Sequence, residues 1–151
     1  QNIFETFCVP SLLSLDEKVG RGWHPLNSGH KYNYKLTNLW VNYQRQTEFN
    51  PVHDHGGSYS FVVWMKIPTS NKEQRELPIA KESLSGDSIS NFAFLYNDVI
   101  GNIRSLSIPM EKETAGSMVI FPSRMKHQVY PFYECDEERV SIAGNFGVMY
   151  E

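Results

Sequence analysis

Cysteine, net charge and long apolar runs are all scarce in this sequence. Its two cysteines, Cys8 and Cys135, stand far apart and match no paired metal-ligand spacing. That excludes a disulfide framework and a zinc ribbon, and suits a reducing, cytoplasmic setting. The formal charge is -3, so no basic field exists to neutralise nucleic-acid phosphates or anionic lipid, and no nucleic-acid partner is expected. No apolar stretch approaches the ~20 residues that cross a bilayer and no basic-then-apolar leader opens the chain, so no membrane role is expected. Internal repeats and low-complexity tracts are absent too. The first residue is Gln1 rather than Met, which leaves room for a natural start further upstream.

What is present suits one core. With 151 residues, 40% hydrophobic and 13% aromatic, residues 1–151 are expected to form a single domain. Turn-forming pairs such as Asn50-Pro51, Gly56-Gly57, Asn97-Asp98 and Gly101-Asn102 separate short apolar runs, the punctuation of an all-β domain. Strands are expected over Leu39–Gln46, Tyr59–Ile67, Ile89–Tyr96, Ile103–Ile108, Ser117–Phe121, Gln128–Phe132 and Arg139–Met149, enough for a barrel or sandwich. One minor helix is expected at Leu12–Val19, capped by Ser14 or Asp16. The charged stretch Thr69–Ser85 reads as a solvated, mobile loop over one mouth of the barrel, with a substrate lid as its functional reading.

The segment with most chemical content is Phe49-Asn50-Pro51-Val52-His53-Asp54-His55-Gly56-Gly57. Alternate residues of an extended chain point to one face, so His53 and His55 converge while Asp54 points away. Two imidazoles on one face make half of a transition-metal site, completed by a third ligand from another strand. His127 is the candidate, delivered by Gly116–Phe121, a strand ending in the Pro122 turn. A local bulge turning Asp54 inward is the alternative ligand arrangement. His24 and His30 lie in a loop-like stretch where exposure explains them.

Downstream, Arg139, Ser141, Ala143 and Asn145 share one strand face, and Val140, Ile142 and Phe146 share the other. With the apolar side packed outward, the polar side looks into the barrel, which then holds a ligand. An inward guanidinium presents five donors in a planar fork suited to a carboxylate, and the Ser141 hydroxyl adds another. The competing reading is an edge strand with Arg139 paired to Glu137 or Glu138 in solvent.

Together these elements resemble the 2-oxoglutarate and iron(II)-dependent oxygenase superfamily, and more closely a group of such oxygenases from bacteria and marine phages. The likeness runs from Leu39 to about Gly147: Trp40-Val41-Asn42-Tyr43, then His53-Asp54-His55, then Gly116 to His127, then Arg139-Val140-Ser141 with Asn145. The resemblance implies a double-stranded β-helix, a jelly-roll or cupin-like barrel. It implies Fe(II) bound by His53, His55 and His127, and the distal carboxylate of 2-oxoglutarate held by Arg139 and Ser141. It further implies decarboxylation of that co-substrate to succinate, coupled to oxidation of an unidentified small-molecule or peptide substrate, with a homodimer allowed for. Most of the superfamily carries His-x-Asp where this chain has His53-Asp54-His55, which adds a positive charge to the site.

Trp40, Tyr59 and Trp64 are read first as simple packing, with lining of the mouth as their functional alternative, and loops 69–85 and 97–102 are candidates for choosing the substrate. Two rivals remain at this point. A cupin-type metal enzyme without 2-oxoglutarate fits Gly116…Pro122…His127, but expects a Glu beyond His55 and gives Arg139 no role. A non-catalytic β-sandwich binding module would have clustered its histidines by chance.

Overall fold

The computed structural model describes residues 2–19, 31–82 and 86–150; His24 and His30 lie outside them. Helix α1 (Ile3–Val19) precedes eight strands: β1 (Tyr32–Gln44), β2 (Asn50–His53), β3 (Tyr59–Lys66), β4 (Phe92–Asn97), β5 (Ile103–Ile108), β6 (Met118–Pro122), β7 (Lys126–Val129) and β8 (Arg139–Tyr150). Two short helices, α2 (Asn71–Arg75) and α3 (Pro78–Lys81), lie between β3 and β4. The strands form two four-stranded antiparallel sheets, ordered β1-β8-β3-β6 and β2-β7-β4-β5. That alternation of eight strands between two facing sheets is a jelly roll, the expected all-β class.

Two apolar layers follow from strand periodicity. Along β3, Val62 and Trp64 face the other sheet and pack with Phe92, Phe94, Met110 and Phe121. Tyr59, Phe61 and Val63 face the opposite way, onto Cys8 and Leu12 of α1. The central strand β3 is therefore covered on both sides, which is why Tyr-Ser-Phe-Val-Val-Trp is buried throughout and reads as a nearly continuous apolar run. Gly144 on neighbouring β8 is needed for this packing, since a Cβ there would meet Asn38 O at 2.6 Å and the Phe61 ring at 2.7 Å.

The helix is longer than the expected Leu12–Val19. Asn2 Oδ1 accepts from Phe4 N (2.9 Å), and the stripe of Phe4, Cys8 and Leu12 packs on the sheet across Pro10. Docking of that stripe holds the helix through a residue that would weaken it in isolation. Asp16 is not a cap. It is buried, and its carboxylate accepts from the hydroxyls of Tyr32 (2.7 Å), Tyr34 (2.7 Å) and Tyr59 (2.8 Å), tying helix to sheet. Burial first, and the adjacent carboxylate second, push the Tyr34 and Tyr59 hydroxyls well above the usual phenol range. Tyr59 thus belongs to this outer layer, where it packs, and not to the mouth of the barrel.

The stretch from Thr69 is not a bare solvated loop. Its charged residues Lys72, Glu73, Arg75 and Glu76 face out, but Thr69, Asn71, Gln74 and Ala80 are buried. Asn71 Nδ2 donates to Ile89 O (2.7 Å) and Gln74 Nε2 to Tyr133 O (2.8 Å), while Tyr133 N donates to Gln74 Oε1 (2.8 Å). Amides at helical spacing supply partners that a charge count does not reveal.

In β1 the pairing with β8 slips between Leu36 and Asn38. The extra residue, Thr37, reverses which side chains face inward, because strand faces alternate with period two. Tyr34 and Leu36 face α1, whereas Trp40, Asn42 and Gln44 face the space between the sheets. Replacing Asp16 with alanine removes the carboxylate shared by the buried Tyr34 and Tyr59 hydroxyls and the half-buried Tyr32 hydroxyl. Urea unfolding is expected to show a loss of about 3–5 kcal/mol, and a loss below about 1 kcal/mol would mean that the network does not fasten the helix.

Candidate metal centre

The three histidines predicted to converge do so, by a route more specific than alternation alone. β2 is an edge strand, so Pro51 removes no ladder bond that the sheet needs. It pairs with β7 so that His53 stands directly opposite His127, and directly opposed residues of an antiparallel pair share a face. Their ring centroids are 4.2 Å apart. Beyond His53 the chain leaves the strand. His55 N donates to Ser123 O (2.8 Å), and Ser58 N to Phe146 O (2.8 Å), as the chain crosses to the other sheet. Gly57, at φ +97°, makes that crossing, since a Cβ there would lie 2.8 Å from Phe146 O. His55 is thereby held 5.1 Å from His53 and 5.0 Å from His127, centroid to centroid.

The donor atoms of all three imidazoles lie within 4.8 Å of one another. A carbonyl oxygen only accepts, so His53 Nδ1 donates to Pro51 O (2.7 Å) and His127 Nδ1 to Met125 O (2.9 Å). Both tautomers leave Nε2 unprotonated, able to accept from a neighbouring N–H or to bind a cation, the outer-partner arrangement typical of metal-binding histidines. His55 Nε2 lies 3.2 Å from His127 Nε2 and therefore donates to it, a proton that gives way when a cation takes its place. The donor set suits a first-row transition metal.

Asp54 points away, as alternation predicts. Its carboxylate forms an ion pair with Lys126 (2.7 Å), whose hydrogen bond holds the Asp54 carboxyl below the usual range. The arrangement with Asp54 turned inward is not the one adopted.

His127 is walled by aromatic rings. Phe92 stacks on it at 5.4 Å, and Phe121 stands edge-on at 4.9 Å. Desolvation is the main cause that lowers its pKa to about 4, with the two neighbouring imidazoles adding to it. Burial also lowers that of His55, and His53 contributes. The His55 and His127 rings are consequently disposed to stay neutral, the form in which imidazole binds metal.

The pocket in front of the triad is lined by Trp40, Asn42, Gln44, Trp64, Arg139 and Ser141 among others, and holds about 630 Å³ of free space including its open mouth. Arg139 is 3% exposed, not the solvent-paired edge residue of the competing reading. Its Nη2 donates to Ser90 O (2.9 Å) and Ser90 Oγ (2.6 Å), and Nη1 donates to Gln44 Oε1 (3.2 Å). The guanidinium lies 5.0 Å over the Phe132 ring. No carboxylate among the described residues pairs with it, and its Nε is buried without a partner. Desolvation lowers its pKa to about 10, so it remains a cation at neutral pH.

Ser141 Oγ accepts from Asn42 Nδ2 (3.4 Å), which leaves the hydroxyl proton for another acceptor. A buried cation with an unused donor, beside a hydroxyl that can also donate, fits an anionic ligand. Asn145, on the same strand face, is engaged elsewhere, accepting through Oδ1 from Ser60 Oγ (2.8 Å). Reading the sequence identified neither Ser90 nor Gln44 as part of this site. Gln44 could have been found by counting in twos from Trp40 along the expected strand, whereas nothing local marks Ser90.

A sequence family described as "Putative 2OG-Fe(II) oxygenase" matches residues 38–145. No curated protein matches. Among solved structures, an oxidoreductase of the 2OG-Fe(II) oxygenase family from Burkholderia pseudomallei superimposes with a TM-score of 0.51 at 12% identity. The match covers 91% of this chain and 56% of that one, so the chain spans little more than half of that protein; at this identity the likeness concerns the fold.

Because His127 stays neutral in the folded protein down to about pH 4, and an unfolded histidine takes its proton near 6.5, the unfolded chain binds more protons in between. Stability of the metal-free protein is expected to fall by about 3 kcal/mol as pH drops from 6.5 to 4 on this account. Denaturant unfolding across that range should show a shallower decline for His127→Gln than for wild type. Parallel profiles would mean that His127 is not held neutral.

Proposed function

The chain belongs to the 2OG-Fe(II) oxygenase family, a family of oxidoreductases whose members imply Fe(II) and 2-oxoglutarate, and on that premise we propose that it is a dioxygenase using both to oxidise, most simply to hydroxylate, a small-molecule or peptide substrate. The observation that carries this reading is Arg139: a buried guanidinium without an acidic partner among the described residues, lining the same pocket as three convergent imidazoles. A metal site alone gives that cation no purpose, which disfavours a cupin-type enzyme that dispenses with 2-oxoglutarate.

In this reading His53, His55 and His127 would hold Fe(II) through one ring nitrogen each, the cation displacing the proton between His55 and His127, and leave its other positions open. Arg139 and Ser141 take the distal carboxylate of 2-oxoglutarate and so orient the 2-oxo end toward the histidines. Iron, when bound, supplies the oxygen chemistry that converts 2-oxoglutarate and dioxygen to succinate and carbon dioxide while a substrate C–H becomes C–OH. The protein contributes orientation and a dry wall: Trp40, Trp64, Phe92 and Phe121 surround the pocket and limit water. Three neutral ligands leave a bound Fe(II) more positive than a site with one carboxylate, which strengthens its attraction for the two negative groups of the co-substrate.

Anaerobic titration of the metal-free protein with Fe(II) and then 2-oxoglutarate tests the reading. A weak visible charge-transfer band is expected to appear, and Arg139→Ala is expected to weaken 2-oxoglutarate binding by about a hundredfold while Fe(II) still binds. Iron binding without any response to 2-oxoglutarate would favour the cupin-type reading, and absence of metal binding would favour a non-catalytic β-sandwich.

A further inference from the structure

Ser90 is fully buried and has a backbone φ of +65°, in the left-handed region that favours glycine. A β-carbon is retained there against that preference, and strained residues tend to gather at functional sites. The surroundings determine this conformation. Ser90 N donates to Pro131 O (2.9 Å), and Asn71 Nδ2 draws the preceding carbonyl, Ile89 O, to 2.7 Å. Thr69 Oγ1 lies 3.4 Å from Ser90 Oγ, which closes the base of the segment carrying α2 and α3. The strained turn aims both oxygens of one residue, carbonyl and hydroxyl, at Arg139 Nη2.

We infer that Ser90 is a positioning residue that fixes the orientation of the Arg139 guanidinium for the co-substrate's carboxylate. The inference rests on the function proposed above and extends it to a residue outside the histidine and arginine motifs. With Gln44 on Nη1 and Phe132 beneath the plane, the two bonds from Nη2 determine how the fork is turned about its own axis. Three of the five N–H donors are committed, and Nε–H is among those left without a partner. Glycine would suit the backbone better but would remove the hydroxyl, so the serine side chain is explained by what it holds. The same contact joins the described residues 69–82, through Thr69 and Asn71, to the site, although none of them lines the pocket.

Ser90→Gly and Ser90→Ala separate this role from a purely structural one. Both lose the hydroxyl and keep the carbonyl; glycine also relieves the left-handed strain, whereas alanine keeps it, so glycine is expected to melt at the higher temperature. Calorimetric titration of 2-oxoglutarate into the anaerobic Fe(II)-loaded protein is expected to give about tenfold weaker binding for both variants, with Fe(II) affinity unchanged. Equal losses despite different melting temperatures support the role. Wild-type affinity in both variants, while Arg139→Ala loses binding, would overturn it and leave the proposed function standing, as would a loss that merely follows melting temperature. A wild-type protein that binds Fe(II) but not 2-oxoglutarate would overturn the proposed function and the role of Ser90 together.

Discussion

Antiparallel pairing of the four-residue strand β2 with β7 is the contact on which the site depends, because it sets His53 opposite His127. A slip of one residue would turn the His53 side chain to the other face. The pairing is short and at a sheet edge, so it is supported from outside the ladder: His55 N bonds to Ser123 O, Lys126 pairs with Asp54, and Gly57 carries the chain across to the other sheet. The side chain that alternation sends away from the imidazoles thus helps to hold the register that brings them together.

A second constraint comes from the interior of the jelly roll. A sandwich normally fills the space between its sheets with apolar side chains. Here one end is filled, by Trp64, Phe92, Phe94, Met110 and Phe121, while polar residues of β1 and β8 enter elsewhere. The guanidinium of Arg139 is tolerated because Ser90, Gln44 and the face of Phe132 surround it, and they leave part of its donor capacity unmet. Incomplete satisfaction of a buried cation is costly in a finished core and appropriate where a ligand completes the set.

Helix α1 allows this arrangement to persist. The outer face of β3 and β8 is apolar and would otherwise meet water, but Phe4, Cys8 and Leu12 cover it and Asp16 draws in three tyrosine hydroxyls. Since the sheet's main apolar layer is stabilised from outside, its inner face can carry Arg139, Ser141, Asn42 and Gln44. The shift at Thr37 in β1 marks the boundary between the two regimes: residues before it pack on the helix, and residues after it turn into the pocket.

Much of this was legible in the order of residues. Turn pairs between β-branched and aromatic runs set the all-β class, His-x-His placed two imidazoles on one side, and the alternation of Arg139, Ser141 and Ala143 identified an inward polar face, because period two is a local property of any strand. Other features depended on contacts between distant segments. Tyr59 was drawn to Asp16 and away from the barrel mouth, the stretch after Thr69 folded onto Ile89 and Tyr133 through buried amides, and α1 extended through Pro10 because its stripe had a surface to cover. The sequence by itself determined which side chains had the chemistry for a metal and an anion. Only the tertiary structure decided that His53 faces His127, that Asp54 goes to Lys126, and that Ser90 holds Arg139, since register, bulges and long-range hydrogen bonds belong to pairs of segments rather than to either one.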